Sequence, residues 1–118
     1  MPIRRPRRAQ SLTHLLAARI VKNDSNFEWD EAKAEANYAK HRVDFFAGAE
    51  VFGDPFAIEH PDPWSATHGE ERFRITGIGK EFLLTVVFTE RGEGIRIISA
   101  RRATRREHDN YYRQNSQG

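Results

Sequence analysis

The stretch RFRITGIGKEFLLTVVFTERGEGIRIISAR, residues 72–101, decides the fold. Apolar residues recur in it at every second position, the period of a β-strand, and three runs stand out: 72–78, 82–89 and 95–101. Gly77-Ile78-Gly79-Lys80 and Arg91-Gly92-Glu93-Gly94 separate them, connections too short for a helical crossover and therefore joining antiparallel neighbours. A fourth run, 56–60, precedes these three. Residues 82–88 are apolar on both faces, which places their strand centrally, whereas Arg72-Phe73-Arg74-Ile75-Thr76 alternates. Phe73 and Ile75 are expected on the core face, with Arg72, Arg74 and Thr76 on an opposite face left partly open and basic.

Upstream of the strands the period changes. Phe27, Glu28 and Trp29 form a brief extended piece, and Asp30 then caps a helix running to about His41, with Glu31 favourably placed in its first turn. Phe45, Ala49 and Phe52 give a second, shorter helix its apolar face before Gly53, Asp54 and Pro55 stop it. After the last strand, Thr104 caps a helix over about 104–114, with Glu107 as its capping-box partner. The expectation is an α+β domain over residues 24–118: two N-terminal helices, a four-stranded antiparallel sheet and a C-terminal helix. Residues 1–23 read as a flexible basic extension outside it, an arm followed by a short helix over 12–22. A nucleic-acid tail is the functional alternative for that arm.

A chain of 118 residues closes one hydrophobic core and is too short for two. With no cysteine it has no disulfide framework, thiolate metal site, iron–sulfur cluster or catalytic thiol. No apolar run approaches a membrane span, and the Arg-rich N-terminus lacks both a cleavage site and an unbroken apolar region, since His14 and Arg19 interrupt residues 12–21. The expected location is the cytoplasm, with no membrane contact. The formal net charge of +2 hides an asymmetry: residues 1–23 carry +6, residues 24–100 carry −7 and residues 101–118 carry +3. A basic cluster on an acidic body is what a small phosphate-binding surface requires, and also what a solvated basic helix looks like.

Several motifs fail on inspection. Gly77-x-Gly79-Lys80 lacks the spacing of a phosphate loop, and Glu81 stands where the Ser or Thr would be. His60 and His68 with Asp62 or Glu70 sit in a Pro- and Gly-rich loop, a poor frame for metal ligands, and Ser99 has no elbow glycines; no metal and no cofactor is expected. More informative is the first helix, where Lys33, Asn37, Lys40 and His41 fall at helical spacings on one face, either a converging polar stripe or an ordinary solvent face. Arg101, Arg102, Arg105 and Arg106 crowd the start of the last helix against its macrodipole, which a bound anion would explain.

These residues carry a resemblance. Trp29-Asp30-x-x-Lys33-x-x-x-Asn37-x-x-Lys40-His41, Val43-x-Phe45, Val51-Phe52-x-Asp54-Pro55, Glu71-Arg72-Phe73, Val87-Phe88-Thr89-Glu90-Arg91-Gly92 and Ile97-Ile98-Ser99-Ala100-Arg101-Arg102-Ala103-Thr104-x-x-Glu107 resemble the BrnT toxins, partners of BrnA antitoxins in type II toxin–antitoxin modules. The resemblance covers roughly residues 27–112. It implies a RelE-like fold and a ribonuclease that inhibits translation, neutralised by a BrnA-like ribbon-helix-helix antitoxin that binds operator DNA. Three positions depart from the pattern: Arg42 replaces a Gly that usually ends the first helix, Gly69 replaces a common Ser, and an Arg frequent after the first glycine of the Gly77-Ile78-Gly79 turn is absent.

RNA cleavage without a metal uses the substrate's 2′-hydroxyl as nucleophile, so the protein need only move protons and stabilise phosphorane charge. Arg72 and Arg101 are the expected phosphate clamps, Lys40 adds charge, His41 is the expected acid or base, and Glu71 is an alternative base. Lys33, Asn37, Arg74, Arg102 and Arg105 are expected to position the RNA backbone. The alternative function is a non-catalytic interaction module that binds a DNA-binding partner protein and acts as co-repressor.

Overall fold

The computed structural model describes residues 20–22 and 26–116. In chain order the elements are β1 Ile20–Lys22, β2 Phe27–Asp30, α1 Glu31–His41, α2 Phe45–Val51, β3 Ile58–Pro61, the single turn α3 Ser65–His68, β4 Phe73–Gly79, β5 Phe82–Arg91, β6 Gly94–Arg102 and α4 Arg105–Asn115. One six-stranded sheet has the order β1-β2-β6-β5-β4-β3, and every pairing in it is antiparallel except β2 with β6.

This overturns the expected sheet of four antiparallel strands behind two N-terminal helices. Two strands come before the helices, and one of their pairings is parallel. The reason is that a two-residue period reveals a strand but neither its neighbour nor its direction. β2 meets β6 over only two pairs, Phe27 with Ile95 and Glu28 with Arg96, the second pair 68 residues apart in sequence. Gly94 makes the approach possible: a Cβ there would lie 2.5 Å from the Asn26 carbonyl oxygen, which accepts from the Ile95 N–H at 2.9 Å. Glu28 and Arg96, both largely buried, close the pair with a 2.9 Å ion pair.

The helix expected over 12–22 is likewise corrected at its end, because Ile20–Lys22 is a strand with Ile20 opposite Asp30. The rest of that helix and the basic arm, residues 1–19, lie outside the described residues.

α1 starts where Asp30 Oδ1 accepts from the N–H groups of Ala32 and Lys33, and ends at Arg42. Arg42 stands in the left-handed region at φ 60°, ψ 30°, a conformation that costs a non-glycine residue about 1–2 kcal/mol. The departure from glycine at this position therefore carries backbone strain. α2 lies flat on the core face of the sheet, since a Cβ on Gly48 would be 3.3 Å from the Ala100 Cβ and one on Gly79 would run into the Ala47 carbonyl. Phe45, Val51, Leu84, Val86, Ile97 and Trp29 fill the space between, with Trp29 edge-on to both Phe45 and Phe46.

A β-bulge in β6 decides which face the catalytic candidates occupy. Ile97 and Arg101 are four residues apart, so a regular strand would point both the same way. Instead Val87 pairs with Ser99 while Phe88 pairs with Ile97, leaving Ile98 as the extra residue. Ile97 and Ala100 therefore both enter the core, and Arg101 turns to the opposite face beside Thr85 and Thr76.

Candidate active site

Across the sheet face turned away from α2 run two registered rows: Ile58, Thr76, Thr85 and Arg101, then His60, Arg74, Val87 and Ser99. Arg74 and Arg101 thus sit diagonally across β5 on one surface. The first turns of α4 cover part of this surface and bring Glu107 down between them. Glu107 is half-buried as a residue, and its carboxylate is fully engaged. Oε1 accepts from Arg101 Nη1 at 2.8 Å, the Thr104 N–H at 2.8 Å and Thr85 Oγ1 at 2.9 Å, while Oε2 accepts from Arg101 Nη2 at 3.0 Å and lies 3.7 Å from Arg74 Nη1. Thr76 Oγ1, 2.7 Å from Thr85 Oγ1, extends this network along the row.

The second acid is Asp62, buried in the loop after β3. Its Oδ1 accepts from Arg74 Nε at 2.6 Å and its Oδ2 from the Trp64 N–H at 3.3 Å. The same loop carries Arg72, whose guanidinium lies 3.6 Å from the centre of the Trp64 ring, over its face. Arg72 is anchored through its backbone: its N–H donates to Ser65 Oγ at 2.7 Å and its carbonyl accepts from the Asp62 N–H at 3.0 Å. Its buried Nε has no hydrogen-bond partner among the described residues, and its Nη2 reaches Glu70 only at 3.4 Å. Three arginines thus face two tightly paired carboxylates, Asp62 and Glu107, and a third, Glu70, held only loosely at 3.4 Å.

What matters for binding is which donors remain. Glu107 takes the Nη1/Nη2 edge of Arg101, so the Nε–H and one Nη2–H, a second parallel fork, make no hydrogen bond among the described residues. Arg74 likewise keeps its Nη2 hydrogens. A side-on guanidinium fork matches two oxygens of a phosphate. Burial pushes the Glu107 carboxyl up, but the hydrogen bonds from Arg101, Thr104 and Thr85 and the Arg101 charge outweigh it and hold the group at about 2. The Glu107 hydrogen bond in turn raises Arg101 above its ordinary value. A carboxylate at about 2 in the folded protein and near 4.5 when unfolded stabilises the fold above pH 4.5, and this contribution is lost as the pH falls toward 2. Glu107→Gln is expected to flatten that part of the stability curve, as measured by urea unfolding at several acidic pH values. Parallel curves for wild type and variant would disprove the coupling.

Glu107 joins Arg74 to Arg101, Arg72 stacks on Trp64 in the loop that Asp62 ties to Arg74, and the other expected site residues lie elsewhere. Asn37 is buried and does not join an exposed stripe: its Nδ2 donates to the carbonyls of Val43 and Ala100 at 2.9 and 2.8 Å, and its Oδ1 accepts from the Ala100 N–H at 3.2 Å. It closes the edge of β6 beyond the reach of β2. Lys33 and Lys40 are exposed and His41 is half-buried; none of the three side chains makes a hydrogen bond or ion pair among the described residues. Arg102 has the parity opposite to Arg101 and lies 3.9 Å over the Phe82 ring. Arg105 is at the surface, paired with Asp109 at 3.6 Å, and Glu71 is exposed with its carbonyl accepting from Thr89 Oγ1. Glu107 and Asp62 are not among the site residues expected from sequence. A capping-box glutamate carries no sign that it also faces a strand, and Asp62 is visible in the sequence only as a rejected metal-ligand candidate in a Pro-rich loop.

Among the described residues no helix is long and apolar enough to cross a membrane. No curated protein matches the chain. A family model described as the ribonuclease toxin, BrnT, of type II toxin–antitoxin systems matches residues 29–107, from the buried Trp29 to the Glu107 that grips Arg101. That match spans well over half of the sequence, and the chain belongs to the BrnT family of ribonuclease toxins of type II toxin–antitoxin systems.

Proposed function

We propose that this chain is itself an active endoribonuclease and cleaves RNA without a metal ion. The observation that carries this reading is the division of Arg101, one edge held by Glu107 and the other presented to solvent beside Arg74. In this reading the 2′-hydroxyl attacks the adjacent phosphorus, and Arg101, Arg74 and Arg72 hold the non-bridging oxygens as their charge grows. The 5′-oxygen departs, leaving a 2′,3′-cyclic phosphate. The fixed donors need no reorganisation during the step, because Glu107 and Asp62 set two of the three guanidinium planes beforehand. Lys33, Lys40, Arg102 and Arg105 meet the RNA backbone further out.

Membership of a type II family supports a protein antitoxin as partner. We take it to be a BrnA-like ribbon-helix-helix protein, through which the complex reaches operator DNA, and we take the cellular outcome to be inhibited translation in the cytoplasm. A digest of RNA by the purified chain, freed of antitoxin and in EDTA, tests the core of the reading. Cleavage with 2′,3′-cyclic phosphate ends is expected. No cleavage of free RNA, or of mRNA on ribosomes, would leave a non-catalytic partner-binding module.

A further inference from the structure

The arginines stabilise charge, and none of them accepts a proton at neutral pH. The loop that supplies Arg72 also holds a histidine in a fixed orientation. The His68 ring stacks on Trp64 with centroids 3.8 Å apart and planes within 5°. Arg72 lies 3.6 Å from the same ring centre, so the imidazole and the guanidinium must occupy opposite faces of the indole. His68 Nδ1 is 2.9 Å from the Trp64 carbonyl oxygen. A carbonyl only accepts, so Nδ1 carries the hydrogen. Thr67 Oγ1, 2.9 Å from Nδ1, fits as a second acceptor, its own O–H donating to the same carbonyl at 3.3 Å. In the neutral imidazole Nε2 is then unprotonated, and His68 is exposed. Asp62 joins this frame to the phosphate clamp, since it binds the Trp64 N–H with one oxygen and Arg74 with the other.

We propose that His68 is the general base of the cleavage, with Trp64 as the residue that positions it; this rests on the ribonuclease reading above. The 2′-hydroxyl proton passes to Nε2 as the 2′-oxygen bonds to phosphorus, the bond from phosphorus to the 5′-oxygen breaks, and that oxygen takes its proton from water. The imidazolium then returns its proton to solvent. The ring needs no rotation during this cycle, because its stacking and its Nδ1–H bond are in place before substrate arrives.

The test compares the intact chain with His68→Ala and His41→Ala on one RNA substrate. His68→Ala is expected to lower kcat about 100-fold or more with KM within about threefold, and added imidazole is expected to restore part of the rate. Affinity for a 2′-deoxy analogue, which binds and cannot react, should be unchanged, showing that the site is folded. A substrate with sulfur at the scissile 5′ position separates the two proton transfers, since its leaving group needs no proton: the His68→Ala defect should persist with it. Trp64→Phe, which keeps a flat ring, should retain the rate, and Trp64→Leu should lose it. Equal kcat in wild type and His68→Ala, or a defect that disappears with the sulfur substrate, overturns the assignment while the ribonuclease reading stands. A wild-type chain that cleaves no RNA overturns both.

Discussion

Arg101→Ala is expected to lower RNA cleavage by about 10³-fold or more, close to 4 kcal/mol of transition-state stabilisation. The magnitude reflects what the residue does rather than its charge alone. Arg101 is the only side chain that presents one fork to Glu107 and, among the described residues, keeps a second fork for a phosphate. Removing it deletes two donors to the phosphorane. It also strips Glu107 of two hydrogen bonds, so that its carboxylate is left beside Arg74 without its main partner. That carboxylate then competes with the incoming phosphate for Arg74. Arg101→Lys separates the two effects, because it keeps a cation but not the planar fork, and a loss between wild type and alanine is expected. Single-turnover cleavage rates and product ends check the series, with thermal melting to show that each variant is folded. A folded Arg101→Ala chain that retains a tenth of the wild-type rate would remove this residue from the clamp.

The same residue shows where reading the sequence stops. Arg72 and Arg74 are legible as open-face residues because they alternate with Phe73 and Ile75 in a regular strand. Alternation does not place Arg101: Ile97 has its parity and is buried, and only the bulge at Ile98 turns the two to opposite faces. A bulge costs one unpaired residue and leaves no compositional mark in a run as uniform as Ile95 to Ser99. Glu107 is visible as a helix cap, and the cap is present, with the Glu107 N–H donating to Thr104 Oγ1 at 3.1 Å. Its other oxygen contacts depend on how α4 docks on β5, a matter of tertiary packing that local propensity does not encode. β2 escapes for the same reason, since a four-residue strand is recognisable as extended chain long before its partner is known. From sequence His68 reads only as a candidate metal ligand, because its stacking on Trp64 and its backbone bond exist only in the folded loop.

Asn37→Ala is expected to destabilise the protein by about 3–5 kcal/mol, the largest stability effect of any substitution at an expected site residue. The spacing of Asn37 with Lys33 and His41 suggests a role toward RNA, but its amide is occupied inside the protein. One side chain satisfies three backbone groups: the carbonyls of Val43 and Ala100 and the N–H of Ala100. Ala100 is completely buried, so after truncation both of its groups toward α1 are left without water or protein partners. Two carbonyls and one N–H also fix the amide orientation, with nitrogen toward the carbonyls and oxygen toward the N–H. Asn37→Asp should therefore be no better tolerated than alanine, because its carboxylate still accepts from the Ala100 N–H but faces the two carbonyls with like partial charge. Urea unfolding measures the loss, and cleavage per folded molecule separates stability from contact. Asn37→Ala should keep its specific activity at a temperature where it is folded, while Lys33→Ala, exposed on the same helix, should weaken RNA binding and leave stability within about 0.5 kcal/mol. The opposite pattern, a stable Asn37→Ala with impaired RNA binding, would return Asn37 to the RNA surface and mean that the edge of β6 is closed by something other than this amide.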